Sequence, residues 1–407
     1  MKACLLGKKL GHSYSPYIHS QFGYSYQNVE LDENELENFL KNSEFDCFNV
    51  TVPYKKSVMP YLKLSDLAKK IGAVNTVVKR NNVLFGYNTD YYGFQKMIEG
   101  NGINVANKKV LILGTGGASA VVKTYMTDFG ANVRVVGRTS EYNYNNLYLN
   151  YDAEIIINTT PVGMYPDNLV APLDLSPFKH LEFVGDLIYN PYKTALLLQA
   201  SDLGIKNDNG LSMLVWQAIR AGYFFTGVDY SDKYDKIYSE LSLKARNIIL
   251  IGMPSSGKST IGRHLAKALE RNFIDLDKEI VRKVGKPIPE IFEQNGEKYF
   301  RKVESELLFE FSKLSNKVIA LGGGACIQET AKWQIKQNSI VVYLTRNKIS
   351  TKGRPLLQKD GINAYNKLLE IREPIYNSLF DIKVENNDSI QAVVNTIIGA
   401  LNESNGN

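Results

Sequence analysis

The chain has 407 residues, a length at which two or three domains are expected. Hydrophobic residues make up 44% of the chain and charged residues 22%, a balance typical of globular proteins with full apolar cores. The net charge of +6 is mild, and no basic stripe is interleaved with aromatic residues, so we do not expect nucleic-acid binding.

The cysteines and the N-terminus bear on the cellular compartment. Cys4, Cys47 and Cys326 are far apart and form no CxxC pair, so no disulfide framework is expected and a reducing cytoplasm fits. The N-terminal segment becomes polar after the first few residues and lacks the apolar core of a signal peptide. No run approaches the ~18 apolar residues of a membrane helix. We therefore expect a cytoplasmic protein without a membrane partner.

The first hundred residues predict a separate α/β lobe, with strands at 2–6 and 48–52. Polar clusters interrupt this otherwise apolar region, and each one alone is typical of a turn or a helix cap. Together they supply hydroxyls and amides suited to a polyol, and one lysine and one aspartate suited to proton transfer. The clusters are SYS at 13–15, NVTVPYK at 49–55, AVNT at 73–76 and NTD at 88–90.

A glycine-rich turn follows the next predicted strand. The segment KVLILGTGGASA at 109–120 has the form of a strand, a tight turn and a helix start, in which backbone amides point at phosphate. Such a motif alone is weak evidence for a dinucleotide site. Arg138 follows a second predicted strand, where NAD enzymes often carry a carboxylate, and a cation there favours the 2′-phosphate of NADP. A surface arginine after a strand is the alternative interpretation.

Eight segments in this region resemble shikimate dehydrogenase, in order, from residue 2 to about residue 238. They are HSYSPYIHS, NVTVPYK, AVNTVV, NTDYYG, LGTGGAS, NTTPVGM, GDLIYNP and NGLSMLVWQA. The resemblance implies NADPH-dependent reduction of 3-dehydroshikimate to shikimate, with Lys55 and Asp90 as the catalytic pair. It implies that shikimate is bound by Ser13, Ser15, Thr51, Asn75, Asp90, Tyr189 and Gln217. It implies that NADP(H) is bound by Gly114, Thr115, Gly116, Gly117, Ala118, Ser119, Arg138, Thr139 and Gly210.

This region also departs from the family. Gly137 stands where the family usually has an asparagine, next to the adenosine phosphate. The segment 139–155 is shorter than usual and rich in tyrosine and asparagine, which we interpret as a truncated peripheral region.

A polar stretch at 228–246 precedes a new strand, and we place the domain boundary near Leu243. The first domain is then 1–243, with a substrate lobe at about 1–100, a Rossmann-like NADP lobe at about 101–230 and a terminal helix returning to the substrate lobe. The second domain is 247–407, a P-loop domain with a parallel sheet. The fold class is α/β throughout.

GMPSSGKS at 252–259 matches the phosphate-binding pattern GxxxxGK[ST] in full, between a predicted strand and a predicted helix. Its glycines let the backbone wrap the phosphates, Lys258 places a positive charge at the β- and γ-phosphates, and the Ser259 hydroxyl can ligate Mg²⁺. This pattern in this context predicts a nucleoside triphosphate site.

Acceptor chemistry follows the P-loop. Asp275 and Asp277 lie two residues apart at a strand end, where one can serve the metal and the other can accept a hydroxyl proton. Arg301 and Arg372 together can clamp a carboxylate, and three glycines at 322–324 suggest close approach of a ligand to backbone. The alternatives are an acidic pair at a helix N-terminus and two surface arginines.

Six segments of this half closely resemble shikimate kinase, a P-loop kinase of the nucleoside monophosphate kinase type. They are GMPSSGKSTIGRHLAKAL, FIDLDKEI, IFEQNGEKYFRKVE, VIALGGGA, GRPLL and REPIYN. The resemblance implies that Asp277, Arg301, Gly323 and Arg372 hold shikimate, with Asp277 near the reacting hydroxyl. It implies that Ser259 and Asp275 serve Mg²⁺. ATP would be bound by Ser255, Ser256, Gly257, Lys258, Ser259, Thr260 and, from a closing lid, Arg354.

Both resemblances predict a bifunctional enzyme of the shikimate pathway of aromatic amino acid biosynthesis, because the product of the first reaction is the substrate of the second. The expected partners are small molecules: 3-dehydroshikimate, shikimate, ATP and NADP(H), with Mg²⁺. Two alternatives stay open. One domain is a non-catalytic module, the kinase more readily because its lid at 345–354 is short. Otherwise the first domain is a quinate or shikimate dehydrogenase that uses NAD. Oligomeric state is not predicted.

Overall fold

The computed structural model describes residues 1–11, 13–328, 330–347 and 361–403. These residues divide into two compact units. The first contains Met1–Val162, Ala171–Tyr189 and Gln199–Leu241. The second contains Ser242–Asn407 together with two short earlier segments, Gly163–Val170 and Asn190–Leu198. Among the described helices, none combines the length and the apolar character that a membrane crossing needs.

The first lobe of the first unit is a mixed six-stranded sheet in the order β2-β1-β3-β5-β6-β4. β1 pairs in parallel with β2 and β3, whereas β5 is antiparallel to both β3 and β6. Its strands are β1 (Lys2–Gly7), β2 (Ser25–Glu30), β3 (Cys47–Val50), β4 (Lys63–Leu64), β5 (Thr76–Arg80) and β6 (Val83–Tyr87), and its helices are α1 (Ser15–Ser20), α2 (Leu36–Asn42), α3 (Asp66–Ile71) and α4 (Asp90–Gly100).

The second lobe contains a five-stranded, wholly parallel sheet in the order β11-β10-β9-β7-β8. Alternate residues of β7 and β9 pack with α4 and α5 in one buried apolar cluster, as the period of two in a strand requires. The elements after α4 are β7 (Lys109–Leu113), α5 (Gly117–Asp128), β8 (Asn132–Val136), β9 (Ile155–Asn158), β10 (Phe183–Asp186), α6 (Ala195–Asp202), β11 (Lys206–Asn209), α7 (Leu211–Thr226) and α8 (Tyr234–Ala245).

The second unit contains another parallel sheet, in the order β13-β14-β12-β15-β16. Ile249 and Ile251 of the central strand enter one apolar cluster, and Ile248 and Leu250 enter the cluster on the opposite face. Burial on both faces explains the unbroken apolar run of that strand. The elements are β12 (Asn247–Ile251), α9 (Lys258–Ala268), β13 (Asn272–Asp275), α10 (Leu276–Val284), α11 (Ile288–Ser312), β14 (Lys317–Ala320), α12 (Ala331–Lys336), β15 (Ser339–Thr345), α13 (Gly361–Leu379), β16 (Ile382–Glu385) and α14 (Ile390–Glu403).

The α/β fold class with parallel sheets is thereby confirmed. In a parallel sheet, ligands bind at the carboxyl ends of the strands. β7 runs into the glycine-rich turn and β12 runs into the P-loop, so both phosphate-binding motifs lie at that end of their sheets.

Candidate active sites

An ion pair joins the two residues expected to transfer protons. The Lys55 ammonium lies 2.6 Å from the Asp90 carboxylate, and their side chains are 24% and 13% exposed. Lys55 belongs to the turn after β3, and Asp90 is the first residue of α4, where the helix dipole favours a carboxylate. The pair is therefore shielded from bulk water but open enough to reach a substrate.

Polar groups beside this pair form a buried network. Asn75 Oδ1 accepts from the backbone N–H of Thr89 at 2.7 Å, and Asn75 Nδ2 donates to the Thr89 hydroxyl at 3.0 Å and to Gln217 Oε1 at 3.4 Å. Gln217 comes from α7, which approaches α4 closely because Gly93 has no side chain: a Cβ there would lie 2.5 Å from the Met213 carbonyl. The structure thus brings Asn75 and Gln217, which are 142 residues apart in the chain, to Thr89, the residue before Asp90.

Thr89 is a member of this network that the sequence did not single out as a site residue. It is fully buried and contacts Asn75, Gln217 and the Thr76 hydroxyl. In the chain it directly precedes Asp90. The signal available in the sequence was its position between Asn88 and Asp90, within a polar cluster.

Three of the other expected substrate residues lie in the same lobe, whereas Tyr189 follows β10 of the second lobe. The Ser13 hydroxyl accepts from the backbone N–H of Ser15, which is buried at the start of α1. The Tyr189 ring lies 5.8 Å from the Tyr14 ring, and burial, with Tyr14 adding to it, raises the pKa of Tyr189 to about 12, so its hydroxyl remains a donor. Thr51 follows β3 and packs against the Cα of Gly7. Within the described part of the chain, no hydrogen bond joins Ser13, Ser15 or Thr51 to the Lys55–Asp90 pair.

The glycine-rich turn after β7 depends on the absence of side chains at several of its positions. Gly114 has a φ of +108°, and a Cβ there would lie 2.7 Å from the Thr159 hydroxyl, so only glycine fits. Gly116 and Gly117 begin α5, and the space above both Cα atoms is open. Gly210, before α7, lies so close to the Leu187 carbonyl at the end of β10 that a Cβ would overlap the carbonyl oxygen. Ala118 and Ser119 continue the first turn of α5.

The structure shows what surrounds Gly137, the glycine that replaces the asparagine usual in the family. A Cβ at this position would lie 2.6 Å from the Thr115 methyl and 2.5 Å from the Ser140 hydroxyl. The glycine-rich turn therefore packs directly on the end of β8, and a larger residue at position 137 would require the Thr115 and Ser140 side chains to move. The neighbouring Arg138 and Thr139 are exposed, and the Arg138 guanidinium has no partner among the described residues.

The P-loop of the second unit is folded around its own lysine. Lys258 is 9% exposed, and its ammonium donates to the carbonyls of Gly252 at 2.8 Å and Met253 at 3.0 Å. Gly252 and Gly257 have φ values of +143° and +93°, a conformation that only glycine adopts without strain. Ser255 also has a positive φ, Ser256 is buried, and Ser259 and Thr260 lie in the first turn of α9.

The carboxylates fit a metal held mainly by phosphates and water. Asp275, at the end of β13, is buried, and Asp277 follows in the first turn of α10. Within the described residues, no three of His, Cys, Asp or Glu converge on one point. Mg²⁺ commonly takes one or two protein ligands and completes its shell with phosphate and water, so Ser259 and Asp275 would be a sufficient protein contribution.

Each glycine of the triplet after β14 lies against a side chain that the sequence predicts for the acceptor site. A Cβ on Gly322 would meet Asp277 Oδ1 at 2.6 Å and Glu304 Oε1 at 2.9 Å. A Cβ on Gly323 would meet Arg372 Nη1 at 3.1 Å, and one on Gly324 would meet Arg301 Nη1 at 2.6 Å. The expected acceptor residues are thus gathered around one stretch of bare backbone. Arg354 lies outside the described residues.

The two acceptor arginines line a cavity of about 370 Å³, together with Gly324, Gln328 and Ile371. A cavity of about 410 Å³ lies elsewhere, on the sheet of the second lobe, and contains none of the expected site residues. Among the described residues, Arg372 Nε is buried and has no hydrogen-bond acceptor. A buried guanidinium edge without a partner is costly unless an anion completes it. The cavity at the arginines therefore fits a small carboxylate.

Glu304 is the second residue that the sequence missed. Its carboxylate is 1% exposed and accepts from Arg301 Nη1 at 2.6 Å, which fixes the guanidinium at the cavity. Burial raises the pKa of Glu304, the nearby Asp277 carboxylate adds to this, and Arg301 opposes it. The spacing of three residues along one helix was the signal that could have paired it with Arg301.

The glycine triplet gives a first prediction. We expect Gly322→Ala to lower kinase kcat/KM for shikimate by roughly 10- to 100-fold, since overpacking of about 1–3 kcal/mol must displace the Asp277 carboxylate. The measurement is steady-state kinetics of ADP formation. Gly399→Ala in α14 is the matched control, because nothing lies within 4 Å of a Cβ there. Equal activity of the two variants would contradict the placement of Asp277.

Comparison with known proteins agrees with this geometry. Residues 5–77 match the family model of the shikimate dehydrogenase substrate binding domain, and residues 254–402 match the family model of shikimate kinase. An NADP(+)-dependent shikimate dehydrogenase of Clostridium perfringens is 37% identical over 266 residues, which cover 59% of this chain and 98% of the relative.

Two solved structures extend the comparison. Shikimate dehydrogenase 1 from Peptoclostridium difficile is 38% identical with a TM-score of 0.55, covering 59% of this chain and 98% of that one. Shikimate 5-dehydrogenase from Thermus thermophilus, in complex with NADP(H) and shikimate, is 30% identical with a TM-score of 0.55, covering 59% and 99%. The chain therefore belongs to the shikimate dehydrogenase family, and it carries a shikimate kinase domain after the dehydrogenase region.

Proposed function

We propose that this enzyme reduces 3-dehydroshikimate to shikimate with NADPH and then phosphorylates shikimate with ATP to shikimate 3-phosphate. The observation that carries the proposal is the presence of two sets of reactive groups on one chain. The Lys55–Asp90 pair serves a ketone reduction, and the P-loop with Asp277 and two arginines serves phosphoryl transfer.

In the reduction, bound NADPH supplies the hydride. Lys55 donates a proton to the oxygen of the ketone as negative charge develops on it, and Asp90 holds the ammonium in place at 2.6 Å. Asn75 and Gln217, fixed by Thr89, bind hydroxyls of the ring. The other substrate contacts come from Ser13, Ser15, Thr51 and Tyr189.

In the phosphorylation, Asp277, whose carboxylate lies against Gly322, takes the proton of the attacking hydroxyl. Arg301 and Arg372 bind the substrate carboxylate, and the unpartnered Nε of Arg372 supports this role. Lys258 leaves the carbonyls of its own loop to neutralise the phosphates of ATP, with Mg²⁺ held by Ser259 and Asp275 and lid contacts from Arg354.

Cofactor choice gives the second prediction. We expect Arg138→Ala to raise the KM for NADPH by roughly 10- to 100-fold, because a charge-assisted hydrogen bond to the 2′-phosphate contributes about 1.5–3 kcal/mol. The KM for NADH should stay unchanged, since NADH lacks that phosphate. Initial rates with both cofactors make the measurement. Equal changes in the KM values for NADPH and NADH would show that Arg138 does not bind the 2′-phosphate.

Substrate choice is tested by four assays of the reverse oxidation, with shikimate or quinate and with NADP⁺ or NAD⁺. The proposal predicts the highest kcat/KM for shikimate with NADP⁺. A preference for quinate with NAD⁺ would assign the quinate alternative instead. A separate assay with shikimate, ATP and Mg²⁺ tests the kinase, and failure to form shikimate 3-phosphate would assign that domain a non-catalytic role.

A further inference from the structure

The buried tyrosine of α13 touches both glycine motifs of the kinase domain. The Tyr376 side chain is fully buried in the apolar cluster under the sheet, with its ring 5.2 Å from the Tyr343 ring. Its hydroxyl is 2.5 Å from the Gly323 carbonyl and 3.3 Å from the Gly252 carbonyl. Gly252 opens the P-loop, and Gly323 lies beside the acceptor arginines. One hydroxyl thus joins two sites that are far apart in the chain.

The Tyr376 hydroxyl faces two carbonyl acceptors but has only one proton to donate. Burial raises the pKa of Tyr376 far above neutrality, so the phenol stays protonated and has one hydrogen to donate. In this structure the shorter contact is to Gly323. The Gly252 carbonyl instead has a second donor, the Lys258 ammonium at 2.8 Å.

The backbone around these contacts is tightly packed. A Cβ on Gly323 would lie 3.1 Å from Pro254 of the P-loop and 3.1 Å from Arg372 Nη1. Arg372 precedes Tyr376 by one turn of α13, so both side chains lie on the same helix face. A small shift of the Gly323 backbone would therefore displace the Arg372 guanidinium, which binds the carboxylate of the acceptor.

We propose that Tyr376 is a positioning residue that couples the nucleotide and acceptor sites of the kinase domain, an inference that rests on the proposed function. When Lys258 moves to the phosphates of ATP, the Gly252 carbonyl loses its ammonium donor. The Tyr376 hydroxyl, already 3.3 Å away, then turns towards Gly252. Gly323 is released from its contact and adjusts against Arg372, which completes the carboxylate site. ATP and shikimate then each strengthen the binding of the other, as linkage requires.

The test is the kinase activity of the full chain with both substrates varied. The coupling factor is the ratio of the KM for shikimate at low ATP to its value at saturating ATP. We expect roughly 5-fold or more for the unaltered chain and a ratio near one for Tyr376→Phe, which removes only the hydroxyl. Tyr365→Phe is the matched control. It lies in the same helix and cluster, its hydroxyl makes no hydrogen bond among the described residues, and it should keep the coupling.

Dehydrogenase activity of the same preparations reports folding of the rest of the chain and should not change. A merely structural role for Tyr376 would lower activity or thermal stability but leave the coupling factor intact. That result, or an unaltered chain with a factor of one, would overturn the inference while the kinase assignment stands. An unaltered chain that forms no shikimate 3-phosphate would overturn the kinase assignment and this inference with it.

Discussion

Lys258→Ala is expected to lower the kcat of shikimate phosphorylation by about 10²–10³-fold, the usual cost of removing one fixed electrostatic group from a transition state. The ammonium is buried in the P-loop and donates to the carbonyls of that loop. In the sequence from Gly252 to Ser259, no second lysine or arginine could replace its charge. The measurement is coupled detection of ADP in the presence of shikimate and Mg²⁺.

Two comparisons make that result specific. Lys267→Ala removes an exposed ammonium near the end of the same helix and should leave the kinase unchanged. Reduction of 3-dehydroshikimate by the Lys258 variant should proceed at the normal rate. A Lys258 variant that still phosphorylates shikimate at nearly the normal rate would contradict the assignment of the phosphate site.

Lys55→Met should lower kcat for the reduction by about 10²–10⁴-fold, the range typical of a lost general acid. Methionine keeps the length of the side chain, so the change removes the ammonium and leaves Asp90 without its partner at 2.6 Å. The consequence is that no proton donor stands at the developing alkoxide. Stopped or continuous measurement of NADPH absorbance gives the rate.

The neighbouring lysine supplies the control for that variant. Lys56 is exposed on the same turn, and Lys56→Met should reduce 3-dehydroshikimate normally. The kinase activity of both variants should equal that of the unaltered chain. Similar rates for the Lys55 and Lys56 variants would show that the proton comes from another group.

Local motifs were predictable from the sequence because their residues are neighbours in the chain. The P-loop, the strand before it and the helix after it follow from a few consecutive residues, and the structure has them as β12, Gly252–Ser259 and α9. The parallel sheets follow from the alternation of apolar strands and helices.

Long-range contacts were not predictable in the same way. Tyr376 and Gly252 are 124 residues apart, and no local pattern indicates that one hydroxyl meets two glycine carbonyls. Gly137 was seen only as a departure from the family pattern, whereas the structure shows that the Thr115 methyl packs against it at the end of β8. Glu304 was overlooked because a glutamate on a helix is usually solvated: its spacing from Arg301 indicates a pair, but its burial is visible only in the structure.

The central claim is that one chain performs both reactions in sequence, and a single incubation with 3-dehydroshikimate, NADPH, ATP and Mg²⁺ tests it most directly. We predict loss of NADPH absorbance together with formation of shikimate 3-phosphate. The Lys55 variant should form neither shikimate nor shikimate 3-phosphate from 3-dehydroshikimate, yet it should phosphorylate added shikimate. The Lys258 variant should form shikimate but no shikimate 3-phosphate. NADPH loss without a phosphate ester, even from added shikimate, would contradict the kinase half of the account, and the absence of both signals would contradict the substrate assignment as a whole.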